Sequence, residues 1–357
     1  MLVGIVAPAA LRFVPYAFFY MGLLEELGIA YEVVVPDRYE GLGDGYGGTL
    51  HVLPWDMGRH SLLNYIAYGR GVKRLATGKY DFLIVLATQT GIFCDRWLRK
   101  YFDGRYIFDI RDHWREEIPP FYAIEKQVVR HSALNVVSSK KFQTFLPPGE
   151  YLPCHNITTP LESLKHRFKK AEGQIIIGYV GSISHEAQCR QLMDLIDRDE
   201  RFAFHFYGTG PSEAALRAYG EALGNSRIRF FGKYVPSEKR DILHKIDLLF
   251  NIYGRGIGYD YALSNKLYDA LYYHKPLLTS SGTYMEEMGG ELAFSPDLED
   301  PAALNQLWDW YQALEPECMD TFAEQQYSAI VEEQRETGEA IKQILQKQKR
   351  KKELGRQ

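Results

Sequence analysis

Short apolar segments rich in valine and isoleucine alternate with longer segments of helical periodicity along almost the whole chain. Near-continuous apolar strands are typical of a parallel sheet that helices cover on both faces. In the first half, the pattern predicts strands at residues 2–7, 31–35, 82–87, 106–110 and 134–137. It predicts helices between them at residues 16–27, 62–75, 91–102 and 124–131.

The alternation stops at prolines 147 and 148, stops again at residues 153–160, and gives way to a charged stretch at 165–172. Such a break marks a connection between domains. The pattern then resumes and predicts strands at 175–180, 202–207, 228–231, 248–252, 276–279 and 292–294. Helices are predicted at 186–196, 212–223, 238–245 and 264–273, and the tail from Cys318 onward is also predicted to be helical.

Two domains fit a chain of 357 residues, since a domain takes roughly 150. We predict an α/β protein with an N-terminal Rossmann-like domain at 1–160 and a C-terminal Rossmann-like domain at 161–315. A helical segment at 316–357 is expected to pack back on the N-terminal domain. Both sheets are expected to face a central cleft with the carboxyl ends of their strands, where doubly wound sheets bind ligands.

The composition excludes several classes of protein. Hydrophobic residues make up 46% and charged residues 25%, which is the balance of a soluble globular protein. A net charge of -4 argues against nucleic acid as the main partner. The four cysteines are far apart and form neither a metal-binding pair nor a disulfide framework, which fits a reducing cytoplasm. No secretory leader and no apolar run of about 18 residues is visible.

The most informative segment is residues 251–278, which reads NIYGRGIGYDYALSNKLYDALYYHKPLL. It predicts a strand, a glycine-rich loop that a ligand can approach closely, a helix with Ser264 as its N-cap, and a second strand. Leu267, Ala270 and Leu271 share the face that packs on the sheet. Asn265 and Asp269, four residues apart, share another face near the helix start. Asp269 could accept hydrogen bonds from two ribose hydroxyls while the helix end receives a diphosphate.

At these residues the sequence resembles the family-4-like bacterial glycosyltransferases of capsule and surface-polysaccharide synthesis. LSNKLYDAL at 263–271 and KPLL at 275–278 look like their donor-site signature. The resemblance extends to IGYVGSI at 177–183, FYGTGP at 206–211 and FFG at 230–232. In the first half, FDIRDHW at 108–114 also looks similar.

The resemblance implies the GT-B architecture and a hexosyltransferase-type enzyme with a nucleotide-sugar donor of the UDP or GDP type. It implies no cofactor and no metal, because helix dipoles, backbone N–H groups and a cation can stabilise the departing diphosphate. The implied donor-binding residues are Gly181, Ser182, Arg255, Tyr261, Ser264, Asn265, Lys266 and Asp269. The implied acceptor is a saccharide, carried on polyprenyl diphosphate at the cytoplasmic membrane face, and the implied reaction retains the anomeric configuration.

The sequence departs from the family pattern in two ways. The family often has two glutamates separated by seven residues, and Asp269 matches the second, whereas the first position is Tyr261, with Asp260 beside it. The arginine and lysine that follow the Gly181 loop in the family are absent. The candidates to replace that basic pair are His185, Arg190, Arg255 and Lys266.

A second group of charged residues, DIRDH at 109–113, ends a predicted strand of the first domain. One interpretation is a structural cluster in which Arg111 pairs with either aspartate. The other assigns Asp112 and His113 to catalysis, and Asp109 and Arg111 to the acceptor. Arg12, after the first strand, is a further acceptor-side candidate.

Two other functions stay open. An epimerase of the same fold would convert the donor sugar with no acceptor present. A non-catalytic subunit would bind the nucleotide-sugar without turnover. A nicotinamide dehydrogenase is disfavoured, because the segment GTGP at 208–211 lacks the third glycine of the dinucleotide fingerprint. The basic stretch at 347–352 could attract anionic lipid, so we expect a cytoplasmic protein that is able to associate peripherally with the inner face of the cell membrane.

Overall fold

A computed structural model of the chain describes residues 1–38, 46–58, 60–157 and 166–354. Its contacts divide the chain into two units, Met1–Ile157 with Glu332–Gln357 and Thr158–Val331. The predicted boundary at residues 160–161 lies outside the described residues.

The first unit is a parallel sheet in the order β3-β2-β1-β4-β5-β6-β7. Its described strands β1 to β7 are Leu2–Val6, Ala30–Pro36, Leu50–Leu53, Phe82–Leu86, Tyr106–Ile110, Leu134–Val137 and Tyr151–Pro153. Its helices α1 to α4 are Ala17–Glu26, Ser61–Ala76, Thr88–Tyr101 and Pro119–His131. The strand order changes direction between β1 and β4, so the carboxyl ends of these strands form the crevice in which doubly wound sheets bind ligands.

The second unit repeats this design with a parallel sheet in the order β10-β9-β8-β11-β12-β13. Its described strands β8 to β13 are Ile175–Val180, Phe202–Tyr207, Ile228–Gly232, Leu248–Asn251, Leu277–Thr279 and Ala293–Phe294. Helices α5 to α11 are Glu186–Asp197, Glu213–Leu223, Lys239–His244, Ile257–Asp260, Asn265–Tyr273, Tyr284–Gly289 and Ala303–Ala313. Here the order changes direction between β8 and β11.

The predicted central strands are present in the sheets. Their residues are buried on both faces of the sheet. Every residue of β4 and β5 is buried, as a parallel sheet covered by helices requires. The sequence pattern did not predict β3 and β7, the two edge strands of the first sheet. Edge strands pair on one side only and tolerate polar residues or proline, as in the Leu-His-Val-Leu of β3 and at Pro153 in β7.

The predicted helical tail is confirmed as a single helix, α12, Pro316–Leu354. Near its start, Asp320 accepts a hydrogen bond from the backbone N–H of Phe168, a residue of the second unit. Farther along, Gln334 accepts one from the backbone N–H of His155 in the first unit. In the basic end of α12, Lys352 forms an ion pair with Asp81 of the first unit. Among the described residues, no helix combines the length and apolar character needed to cross a membrane.

Candidate functional site

Several polar and charged side chains of the second unit lie near the ends of β8 and β11. β8 leads through the loop 181–185 into α5, and β11 leads through the glycine-rich loop into α9. The glycine-rich loop approaches the start of α5, since a Cβ atom at Gly254 would lie 3.9 Å from Nε2 of Gln188. This is the position at which the strand order reverses, so the backbone topology itself points to a ligand site.

Ser264 is the N-cap of α9, as the sequence predicts. Its hydroxyl accepts a hydrogen bond from the backbone N–H of Lys266 at 3.3 Å and donates one to Oδ1 of the buried Asn251 at 2.7 Å. Asn251 is the last residue of β11, so the helix start is tied to the strand end. Ser264 therefore positions the helix, and its hydroxyl is engaged within the protein.

Lys266 is a buried cation without a carboxylate partner. The residue is 7% exposed, and its Nζ donates to the hydroxyl of Tyr253 at 2.9 Å. The same Nζ lies 4.7 Å from the ring centre of Tyr179 and 5.2 Å from that of Tyr253. In the part of the chain that the structure describes, no carboxylate oxygen is within 4.0 Å of it. A buried ammonium group that contacts aromatic rings and has no counterion would be stabilised by a bound anion.

The protonation state of Lys266 follows from these neighbours. Burial by itself would lower its pKa, but Tyr253 and Tyr179, together with Asp269, outweigh that effect and shift the pKa upward. The side chain therefore stays charged at neutral pH.

His185 lies beside this lysine as the residue before α5, with a left-handed φ of 59°. Its ring stacks on Tyr253 at 4.0 Å with the planes 13° apart. Burial, and then the charge of Lys266, lower the pKa of His185, so the imidazole is neutral at pH 7. His185 thus contributes a hydrogen-bonding group, and Lys266 carries the charge.

The loop after β8 leaves room above its backbone. Gly181 has a φ of 121°, and a Cβ atom placed there would meet nothing within 4 Å. Gly208 is required for a different reason, because its Cβ atom would lie 1.9 Å from the carbonyl oxygen of Gly181. Gly208 thus lets two loops pack, while Gly181 faces open space, and Ser182 next to it is exposed.

The remaining predicted donor residues are spread around this group. Asn265 is exposed at the start of α9, and Tyr261 is half-buried at the end of α8. Arg255 is 59% exposed, and its Nε lies 3.0 Å from Oδ1 of Asp260. Its guanidinium also donates to the carbonyl oxygen of Ser281. The guanidinium of Arg255 is therefore engaged by Asp260 in its own loop and by Ser281 in the loop after β12.

Asp269 is buried rather than solvated, with 3% of the residue exposed. Its Oδ1 lies 2.6 Å from Nζ of Lys239, the first residue of α7, although the angle between the two groups is unfavourable for a hydrogen bond. Burial raises the pKa of Asp269, and Lys239 opposes that shift. Because the ion-pair distance is short, we treat Lys239 as the counterion of this carboxylate.

In the first unit, Asp109 and Arg111 form a buried ion pair at the end of β5. Their side chains are 0% and 4% exposed, with Nη2 of Arg111 2.6 Å from Oδ2 of Asp109. The hydroxyl of Tyr20 donates to the same oxygen at 2.8 Å, and Nη1 of Arg111 donates to the carbonyl oxygen of Cys154 at 2.7 Å. This arrangement matches the structural interpretation of the pair.

The other first-unit candidates differ in their exposure. Asp112 is exposed, although the atoms around its carboxyl group restrict water enough to raise its pKa. Arg12 is exposed in a short 3-10 helix after β1, with its guanidinium 4.7 Å from the ring centre of Phe13. His113 is half-buried and faces two carboxylates, Glu116 at 3.4 Å and Glu117 at 3.2 Å.

Sequence reasoning missed the partners that define these environments. No role was predicted for Tyr179, Tyr253 or Lys239. Their role depends on which loops meet in space, and single-sequence periodicity carries no such information. Glu116 had a usable signal, since it stands three residues after His113, a spacing that can bring two side chains together.

No protein-family model matches the sequence, and no curated protein matches it. Solved structures do match over nearly the full length. Sucrose-phosphate synthase from Thermosynechococcus elongatus aligns with a TM-score of 0.70 at 11% identity, covering 97% of this chain and 99% of that chain. The lipopolysaccharide outer core galactosyltransferase WaaB aligns with a TM-score of 0.66 at 13% identity, covering 96% and 99%. HepE from Anabaena, solved with UDP, aligns with a TM-score of 0.66 at 11% identity, covering 96% and 99%.

At identities this low, structural similarity shows the fold alone. The two parallel sheets, their reversal points and the full-length alignments agree with one another. The chain has the two-domain α/β fold of the GT-B glycosyltransferases.

Proposed function

We propose that this protein is a glycosyltransferase that binds a UDP- or GDP-type nucleotide-sugar at the second unit and transfers its sugar to a saccharide acceptor. The observation that carries the proposal is the ammonium group of Lys266 at the start of α9, which is buried with no counterion among the described residues. A buried charge without a partner is costly, so such a group is retained where a ligand supplies the partner.

A nucleotide diphosphate has the charge that this environment lacks. The start of α5 adds backbone N–H groups that are not used within the helix and the positive end of a helix dipole. Lys266 and the start of α5 would together stabilise the negative charge that develops on the diphosphate as the sugar leaves. This arrangement would replace the basic pair that the resembling family carries in the loop after Gly181.

The remaining donor contacts follow from this placement. Asp269 would accept hydrogen bonds from the ribose hydroxyls, which requires Lys239 to move from the carboxylate or to share it with the ribose. Gly181, Ser182 and Asn265 would border the ligand, because they are open or exposed at the ends of β8 and β11. Arg255 and Tyr261, in the loop before α9, would lie nearer to the donor sugar.

For the acceptor, we propose a saccharide carried on polyprenyl diphosphate in surface-polysaccharide or capsule synthesis, with the protein in the cytoplasm and peripheral at the membrane. The exposed Asp112 and Arg12 and the half-buried His113 are the first-unit candidates for contacts with the reacting sugar and the acceptor. Asp109 and Arg111, which are buried at the end of β5, would hold the backbone that carries Asp112 and His113 in place. Retention of the anomeric configuration belongs to the same proposal.

The test is calorimetric binding of UDP, UDP-glucose, GDP and UMP to the wild type and to Lys266→Met. We expect the variant to bind UDP at least tenfold more weakly and to lose less affinity for UMP, since a charged hydrogen bond contributes about 1.5–3 kcal/mol. The UDP affinity of Lys266→Arg shows whether a positive charge at this position is sufficient for binding. The matched control is Lys245→Met, an exposed lysine before β11 at the opposite end of the sheet, which should bind like the wild type. Unchanged UDP affinity in Lys266→Met would refute the donor site.

Turnover separates the proposed transfer from its two rivals. A donor that reacts only when a polyprenyl-diphosphate saccharide is added indicates a transferase with that acceptor. Conversion of the donor sugar alone indicates the epimerase. Tight binding without turnover under either condition indicates a non-catalytic subunit. Transfer to soluble sugars only would contradict the lipid-linked acceptor.

A further inference from the structure

The loop between β5 and α4 brings an imidazole and two carboxylates together. Nε2 of His113 lies 3.2 Å from Oε2 of Glu117 and 3.4 Å from Oε2 of Glu116, and the three groups lie within 4.8 Å of one another. Arg115 adopts a left-handed φ of 58° between them, and the backbone N–H of Trp114 donates to Glu116. The backbone thus turns back on itself and points residues 113, 116 and 117 toward one place.

These carboxylates lack cationic partners. Among the described residues, no lysine or arginine nitrogen lies within 4.0 Å of Glu116 or Glu117, so His113 is the one basic group beside them. The side chain of Glu116 is 2% exposed, and its second oxygen, Oε1, has no hydrogen-bond partner. Because both oxygens share one carbon, this unpartnered buried atom also lies at the cluster.

A third acidic side chain is buried near Glu116. Glu125 on α4 is 0% exposed, and among the described residues neither of its oxygens has a hydrogen-bond partner. Burial, and then the charge of Glu116, raise the pKa of Glu125 to about 8, so this group is protonated at neutral pH and adds no charge to the cluster. The charge that an ion would balance is therefore that of Glu116 and Glu117.

We infer that His113, Glu116 and Glu117 form a binding site for one divalent transition-metal ion such as Mn²⁺ or Zn²⁺. One imidazole with carboxylate oxygens suits these ions better than Mg²⁺ or Ca²⁺, which prefer oxygen ligands alone. Ligand atoms that share an ion lie about 2 Å from it and hence about 3–4 Å apart, as the two distances from His113 already do. Glu117 is 56% exposed and free to adjust, and its exposure gives an ion access from solvent.

The site lies at the carboxyl end of β5, so its open coordination positions face the ligand-binding edge of the first sheet. An ion there would take up Nε2 of His113, which could then no longer act as a proton acceptor. Asp112 would remain as the accessible carboxylate for contact with the reacting sugar. This inference stands apart from the donor site, and its failure would leave the proposed transferase unaffected.

The test is Mn²⁺ binding to full-length protein stripped with EDTA, followed by electron paramagnetic resonance, with Zn²⁺ as competitor and Mg²⁺ as comparison. We expect one Mn²⁺ per chain, displaced by Zn²⁺ and bound far more tightly than Mg²⁺. Glu117→Gln should weaken binding at least tenfold, and it should fold normally because Glu117 is largely exposed. His113→Ala should also remove the spin-echo modulation from an imidazole nitrogen.

The matched control is His131→Ala, which removes another histidine of the first unit that pairs with a single carboxylate, Asp103, at 2.8 Å. This variant should bind Mn²⁺ like the wild type. Circular dichroism of each variant verifies its fold. The inference is overturned if the wild type binds neither Mn²⁺ nor Zn²⁺ at millimolar concentration, if Glu117→Gln binds Mn²⁺ with unchanged affinity, or if no nitrogen modulation is seen.

Discussion

The ends of β5 and β11 each lie at the carboxyl edge of a parallel sheet, yet the charged residues that follow them are neutralised differently. After β5, Arg111 and Asp109 neutralise each other in the interior. After β11, Lys266 is buried with aromatic rings and a hydroxyl, and no carboxylate among the described residues pairs with it. Removing one member of a buried pair destabilises the fold because the other charge is left uncompensated, whereas a charge that is buried without a counterion lowers stability until a ligand binds. Charge balance therefore distinguishes residues that maintain the structure from residues that await a partner.

The largest expected effect is on folding. Asp109→Ala should lower the free energy of unfolding by about 3–5 kcal/mol, because it leaves the Arg111 guanidinium buried and uncompensated. Urea denaturation followed by circular dichroism measures this. Asp103→Ala, which removes an exposed carboxylate, should cost about 1 kcal/mol or less. If both variants lose equally little, the β5 pair is not a structural element and the comparison fails.

A smaller effect is expected on donor binding. Asp269→Ala should weaken binding of UDP-glucose about tenfold while the protein stays folded, because ribose hydroxyls lose their acceptor and Lys239, which is 22% exposed, can turn to solvent. Calorimetry at neutral pH measures the change. Lys239→Met provides the contrast, since it leaves Asp269 buried without its counterion and should lower the stability of the protein. Donor affinity unchanged in Asp269→Ala would exclude this carboxylate from the site.

The smallest effect is a change in one pKa. The pKa of His185 is lowered by burial and by Lys266, so Lys266→Met should move it upward, and so should bound UDP, whose negative charge favours the imidazolium. Proton NMR of the histidine resonances across pH 5–8 measures both shifts.

The pH dependence of stability has the corresponding sign. A histidine with a lowered folded-state pKa contributes stability above its unfolded pKa of about 6.5, and this contribution is lost as the pH falls below that value. Wild-type protein should therefore lose more stability on acidification than Lys266→Met does. An equal loss in both proteins would mean that Lys266 does not influence His185.

Most of the fold was predictable because its signals are local. The strands β4, β5, β8 and β9 are predictable because a strand that is buried on both faces is apolar along most of its length. Ser264 was predictable as a cap, and Leu267 and Ala270 as buried residues, from spacing within a few positions. The edge strand β3 was missed because it carries no continuous apolar run. The short helix α8 was missed because its single turn lies within the glycine-rich loop.

The candidate sites were only partly predictable, because their chemistry depends on contacts between distant residues. The identity of Lys266 was visible in the sequence, but the absence of a carboxylate beside it was not. Equally, a structural pair of Arg111 with an aspartate was one of two interpretations that the sequence left open, and the contacts of Tyr20 and Cys154, from distant parts of the chain, were not visible in it. The metal-binding inference depends in the same way on the burial of Glu116, which the residues around it in the sequence do not reveal.

For this chain, then, the order of apolar and polar residues is sufficient to specify two parallel sheets and the glycine-rich loop that precedes α9. Whether each charge is neutralised, left unpaired or exposed is a property of the folded molecule. The reason is physical: secondary structure arises from interactions among residues close in sequence, while the energy of a charge depends on solvent exclusion and on counterions that the fold brings from tens of residues away.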